Sequence, residues 1–509
     1  MARVTNSLKN LTASFGGYFL KMVVQFVCRS VFIQILGREY LGLSGLFSNI
    51  LMMLSLAELG FGSAITFSLY APLASGDRAA IRGLMRLFRR VYLAVGCFVC
   101  VAGLSLTPFL AYFVKEMPDI PGIRWIYALY VLNSALSYLC TYKRTLIIAD
   151  QKQYIVSRYT YGCAVAMNLL QTGLLVVTGN YFLYLGTMLV FTLLENLLLT
   201  RKANQLYPFL REPGAPALTR EVTAPILRNI RAMLYHKVGH ILVNGTDNLL
   251  MARLVDLGSV GLYSNYLMIT SSLETAVNLV YSAITASIGN VGATETDEVK
   301  LQIFDRVNFF SQWLFGFCSI CLLCLLTPFI SLWVGPDYCF PFSVELLICL
   351  KFLITGLRQP VTVTKNAFGL YWQDRYKPLA EAAINLGTSI WLGMRYGVAG
   401  IFLGTVISSV TTNLWVEPLV VYKYGLHAPV NRYFKSYGLF MLVTAAAGGL
   451  TYWLCGLVPV GGIVGLVVKM AVCMAVPNLV YLACFFRRGE FAYFWDLLKR
   501  ILIYKGFRE

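Results

Sequence analysis

Apolar stretches long enough to cross a bilayer recur fourteen times along this chain, and that property leaves only membrane-spanning folds open. A spanning helix needs about 20 mostly apolar residues, because backbone N–H and C=O groups find no water in hydrocarbon and must bond within the segment. Runs bounded by Gly, Pro and charge predict spans at 15–36, 42–69, 91–114, 124–149, 159–178, 181–200, 234–254, 260–288, 307–333, 343–370, 379–396, 398–421, 437–457 and 462–486. Only 13% of the 509 residues are charged and 58% are apolar, against roughly 25% charged in ordinary soluble domains. With a mean hydropathy of +0.67, a soluble globular or disordered chain is excluded. The expected fold is an all-α polytopic membrane protein. Its first apolar run is long, is interrupted by Lys21 and Arg29 and lacks an A-x-A site, so it does not read as a cleaved signal peptide.

The net charge of +18 is explained by topology rather than by nucleic acid. Lys and Arg concentrate in cytoplasmic loops. With the N-terminus inside, and cations toward the end of a span counted with the loop it adjoins, 32 of the 42 cations fall on the cytoplasmic side. They include Arg78, Arg82, Arg86, Arg89 and Arg90 in one connection and Arg201, Lys202, Arg211, Arg220, Arg228 and Arg231 in another. Five lie outside (Arg38, Lys115, Arg124, Arg253, Arg395) and five within spans (Lys21, Arg29, Lys351, Arg358, Lys469). An even number of spans returns the C-terminus to the cytoplasm. The basic, aromatic tail at 487–509 is expected to form an amphipathic helix on anionic membrane lipids.

The sequence also repeats itself. GLFSNILM at 45–52 matches GLYSNYLM at 261–268 at an offset of 216. Lys21, Glu58, Phe88 and Arg90 meet Lys237, Glu274, Phe304 and Arg306 at the same offset. Further along, Leu106-Thr107-Pro108-Phe109 pairs with Leu326-Thr327-Pro328-Phe329, and Lys143, Gln151 and Tyr154 pair with Lys365, Gln373 and Tyr376. The expected organisation is a six-helix lobe at 1–200, a loop at 201–233, a second six-helix lobe at 234–421, two additional spans within 437–486 and the tail. Six being even, the lobes share one topology, as in transporters whose halves are related by an axis along the membrane normal.

Two six-helix halves plus two extra helices resemble the multidrug/oligosaccharidyl-lipid/polysaccharide (MOP) exporter superfamily. The stretches LGREYLGLSGLFSNIL at 36–51, LAELGFG at 56–62 and TDNLLMARLVDLGSVGLYSNYLMI at 246–269 are similar to those of its bacterial polysaccharide-flippase branch. The resemblance covers roughly residues 5–486. It implies a MATE-like fold in a bacterial cytoplasmic membrane. It also implies flipping of an undecaprenyl-pyrophosphate-linked oligosaccharide, with polysaccharide-assembly proteins as partners. An ion-coupled multidrug exporter and a lipid II flippase share the fold. A membrane polysaccharide polymerase fits least, because the outer loops are short and there is no D-x-D motif.

Charge at a helix centre costs about 2.5–3.5 kcal/mol on insertion scales, so it faces a cavity or a partner. Arg29 and Arg358 lie near mid-span and are candidates for a cationic cavity that receives a diphosphate through guanidinium forks. Lys21, Lys237 and Lys351 are further candidates, with snorkelling to the headgroups as the competing reading. Asn244-Gly245-Thr246-Asp247-Asn248 places five non-aliphatic residues in span 7. There Asp247 is read as binding a coupling Na⁺, taking a proton, or gating with Arg29, against a plain interhelical hydrogen bond. Glu58 and Glu274 share a duplicated position, whereas Glu195 and Glu381 read as structural. His236 and His240 read as a solvated helix end, Lys469 as a snorkeller, and the thirteen cysteines as free thiols with no disulfide framework. No catalytic residue, resident metal or cofactor is expected.

Overall fold

The computed structural model describes residues 2–58, 68–70, 72–73, 75–212, 238–239, 241–243, 245–370 and 372–506. Of these, 88% are helical, none lies in a strand, and nine helices are long and apolar enough to cross a membrane, so the chain is an all-α, multi-pass membrane protein. Packing divides it into two units, Met1–Ser264 and Asn265–Glu509, which are described in turn.

The first unit holds α1 (Ala2–Leu54), α2 (Arg78–Ser105), α3 (Ile123–Ser137), α4 (Thr141–Ala149), α5 (Gln153–Thr178), α6 (Tyr181–Leu206), α7 (245–254) and the start of α8 (Leu257–Thr294). α1 contains one predicted span and the beginning of a second. They are joined without a loop at Gly37, whose φ of 78° lies in the left-handed region that L side chains avoid. α2 begins thirteen residues before the predicted span, capped by Asp77, whose side chain accepts from Ala80 N at 2.9 Å. The helical spacing of Arg78, Arg82, Arg86 and Arg89 explains the difference. These cations ride one face of an amphipathic turn that a hydropathy window reads as a loop. The predicted span 124–149 is broken between α3 and α4.

The duplicated motif packs on its own copy inside this unit. Gly42 and Gly45 of α1 correspond to Gly258 and Gly261 of α8 at the repeat offset, and the two segments lie in contact. A Cβ on Gly42 would stand 2.1 Å from the Leu257 carbonyl oxygen, and one on Gly261 would stand 2.3 Å from that of Arg38. Only glycine permits this backbone approach.

The second unit continues α8 and adds α9 (Asp297–Trp333), α10 (Phe342–Leu357), α11 (Gln359–Ala367), α12 (Lys377–Thr411), α13 (Asn413–Val421), α14 (Asn431–Gly456), α15 (Gly462–Phe485) and α16 (Gly489–Gly506). Two predicted spans meet inside α12 at Gly397, with φ 58°. Gly179, with φ 62°, makes the corresponding turn between α5 and α6, so the repeat extends to its helical hairpins. The tail is a helix, and its aromatic face is spent partly on α9. Phe494 stacks on Phe309 at 6.4 Å, Phe491 on Trp313 at 5.9 Å, and the Arg306 guanidinium lies 4.0 Å from the centre of the Tyr493 ring. Among the described residues all thirteen cysteines are free, and the sulfurs of Cys324, Cys455 and Cys473 lie within 4.8 Å of one another.

Overpacking a backbone contact costs about 1–3 kcal/mol. Gly42→Val should therefore lower the midpoint of thermal unfolding in detergent. Gly449→Ala, whose Cβ meets nothing within 4 Å, should leave it unchanged or raise it.

Candidate functional site

The second unit gathers a group of buried charges around one carboxylate, Glu417. α10 ends at Leu357, α11 begins with Gln359 and Pro360, and Arg358 occupies the junction; proline fits the first turn because no N–H is needed there. The Arg358 guanidinium reaches Glu417 of α13 twice, Nε to Oε2 at 2.5 Å and Nη2 to Oε1 at 2.7 Å. Lys365 of α11 donates to the same carboxylate at 3.0 Å and to Asp374 at 2.6 Å. Lys377 of α12 donates to Glu417 at 3.0 Å and to Asn413, and lies 3.3 Å from Glu381. The side chain of Glu417 is wholly buried, and Asp374, Lys365, Lys377 and Glu381 are each buried. Three cations face three anions, so the cluster is neutral as a set. It ties α11, α12 and α13 together, and Arg358, expected to face cargo, is clamped by Glu417.

The first unit places Arg29 differently. Its Nη2 donates to the Ser264 hydroxyl at 2.7 Å, and the guanidinium lies within electrostatic reach of Tyr184, Tyr130 and Tyr181. These tyrosines form one assembly. Tyr130 donates to Ser44 at 2.8 Å, its hydroxyl lies 3.0 Å from that of Tyr181, and the Tyr181 and Tyr184 rings stack at 5.7 Å. Tyr40 closes edge-on against Tyr181 at 5.0 Å. The arrangement joins one fixed cation to phenol hydroxyls and flat aromatic faces. Asp247 on α7 is buried at 2% exposure. Next to it Thr246 donates to the Leu242 carbonyl at 2.7 Å, and Gly245 lets Met52 of α1 approach to 3.0 Å from where a Cβ would sit.

Two other predicted residues come together in the second unit: Lys351 lies in the field of Glu274 and 5.8 Å from the centre of the Phe402 ring. Glu58 lies within reach of Tyr92 and Tyr138 instead. Lys21 is half-buried on α1. Lys237, His236 and His240 fall outside the described residues. Glu195 pairs with Arg144 at 3.0 Å and accepts from Thr160 at 2.7 Å, and Glu381 joins the Glu417 cluster. Sequence reasoning missed Glu417, Asp374 and Glu345. Glu345 accepts from Thr327 N at 3.0 Å and from its hydroxyl at 2.9 Å, just ahead of Pro328 inside α9. A lone acid within an otherwise apolar run was the available signal for Glu417 and Glu345.

No family model and no curated protein matches the chain. Among solved structures it is similar to "Lipid II flippase MurJ, inward closed conformation", with a TM-score of 0.64 and 12% identity, over 96% of this chain and 99% of that one. It is also similar to an inward-facing "multidrug resistance MATE family transporter of the MOP superfamily", with a TM-score of 0.58 and 13% identity, over 81% and 98% of the two chains. A third likeness is to a MOP superfamily transporter from Pyrococcus furiosus, with a TM-score of 0.54 and 12% identity, over 82% and 96%. The chain therefore has the MOP-superfamily fold.

Removing one partner of a buried ion pair typically costs about 3–5 kcal/mol, because it strands an uncompensated charge. Glu417→Gln should accordingly lower the thermal midpoint far more than Glu195→Gln, whose pair with Arg144 is partly exposed. Equal shifts for the two variants in detergent-solubilised protein would count against the hub role of Glu417.

Proposed function

We propose that this chain flips an undecaprenyl-pyrophosphate-linked oligosaccharide across the bacterial cytoplasmic membrane for surface-polysaccharide assembly, by alternating access and without enzymatic chemistry. In this reading both termini lie inside. The observation that carries it is Arg29, a guanidinium at mid-span held beside Ser264 and among Tyr130, Tyr181 and Tyr184. An arginine fork matches phosphate oxygens in charge and geometry, and stacked tyrosines offer flat faces and hydroxyls to sugars. The MOP fold and its duplicated halves support transport by rocking around a central site. The broader overlap with the lipid II flippase, 96% of this chain against 81% for the MATE transporter, also favours a lipid-linked cargo over a drug. Asp247, buried in α7 opposite α1, is the proposed site of coupling to Na⁺ or H⁺, and the Glu274 and Lys351 charges are the proposed second element of that coupling.

Arg29→Ala should abolish surface polysaccharide and accumulate lipid-linked precursor while the protein stays in the membrane, and Arg29→Lys should restore part of the activity. Normal polysaccharide in Arg29→Ala would remove the diphosphate role. Transport in proteoliposomes should slow when the sodium or proton gradient is collapsed, and Asp247→Asn should be indifferent to that collapse. A gradient response that persists in Asp247→Asn places coupling elsewhere.

A further inference from the structure

At one end of the second unit, α9, α14 and the junction of α15 with α16 enclose a cavity of about 800 Å³. It is lined by Asp305, Asn308, Phe309, Arg432, Lys435 and Arg488, among others. Its height in the membrane follows from the helices around it. α14 begins at Asn431, α15 ends at Phe485 and α16 starts at Gly489. The cavity thus opens where spans end and the amphipathic tail begins, at headgroup level.

The charges there are not balanced. Arg432 pairs with Asp305 at 2.7 Å. Arg488 donates to the Ser436 hydroxyl at 3.4 Å and lies over Phe485 at 5.1 Å, which fixes its direction. Lys435 is exposed and makes no ion pair among the described residues. Glu490 is the only other anion on the wall, so three cations face two carboxylates. Asn308 is buried to 4% exposure, and its amide oxygen has no hydrogen-bond partner among the described residues. Phe309, Tyr433 and Leu439 complete the wall with apolar surface. A net positive, hydrogen-bonding pocket with an apolar flank at the bilayer interface is complementary to a phosphodiester attached to acyl chains.

We propose that this cavity binds the headgroup of an anionic membrane phospholipid, its phosphate held by Lys435 and Arg488, its hydroxyls facing Asn308 and Glu490, and its acyl chains lying along Phe309 and Leu439. The site is separate from Arg29 and does not depend on the cargo assigned above. A bound lipid there seats α16 against α9 and couples the tail to the composition of the leaflet.

The test is native mass spectrometry of the full-length chain, delipidated and then titrated with phosphatidylglycerol or phosphatidylcholine. One phosphatidylglycerol should be retained under activation that strips phosphatidylcholine. Lys435→Glu should weaken that retention by about tenfold or more, the effect of losing a charge-assisted contact. Arg488→Lys, which keeps the charge and loses the fork, should weaken it less. Equal retention of both lipids, or retention unchanged in Lys435→Glu, overturns the proposal. Displacement of phosphatidylglycerol by millimolar inorganic phosphate reassigns the site to a soluble anion and also overturns it. So does preferential displacement by an isoprenyl pyrophosphate, which would make the cavity a cargo site. Lys435 is exposed and unpaired among the described residues, so its replacement leaves the fold intact; an unchanged thermal midpoint checks this.

Discussion

Burial away from water is costly for a charged group, and the second unit answers that constraint at Glu417. A carboxylate buried there without cations would be forced to neutralise or to leave. Arg358, Lys365 and Lys377 surround it instead, and Asp374, Glu381 and Asn413 satisfy what those cations have left over. The helix break at Arg358 makes sense in this light. Arg358 stands at the junction of α10 and α11, just ahead of Pro360, and reaches both Glu417 oxygens from there. Helices α11, α12 and α13 are short or bent, and this polar knot joins all three.

The first unit uses the matching region more lightly. Arg144, Thr160 and Glu195 form a smaller, half-exposed group, and Lys143 donates to Asn204 at 3.1 Å. Lys143 is the repeat mate of Lys365; Asn204 accepts from the first, and Asp374 and Glu417 accept from the second. The same unit also carries Arg29, with Ser264 and the tyrosines beside it.

Apolar helices and the repeated motif were legible because hydropathy is read one residue at a time and a repeat one offset at a time; nine helices among the described residues are long and apolar enough to span. The break at Gly397 and the twofold division of α1 at Gly37 fell where hydropathy placed them. Helix starts at Arg78 and Asp297 did not, because charged first turns look like loops until their period of 3.6 is read. Arg358 was legible as an intramembrane cation, but its meaning was not. Its partner lies 59 residues away, and no local pattern announces a pairing that only the packed helices create. The tyrosines around Arg29 were hidden for the opposite reason: aromatic residues are so common in membrane helices that three drawn from α3 and α6 carry no signature until they converge.

The glycine contact between the two copies of the repeated motif has an evolutionary consequence. Like packs on like there: Gly42 and Gly45 on one side, their counterparts Gly258 and Gly261 on the other. A surface that fits its own copy is the kind that symmetric dimers use. A half-length chain bearing this motif would present a surface able to meet a second copy of itself.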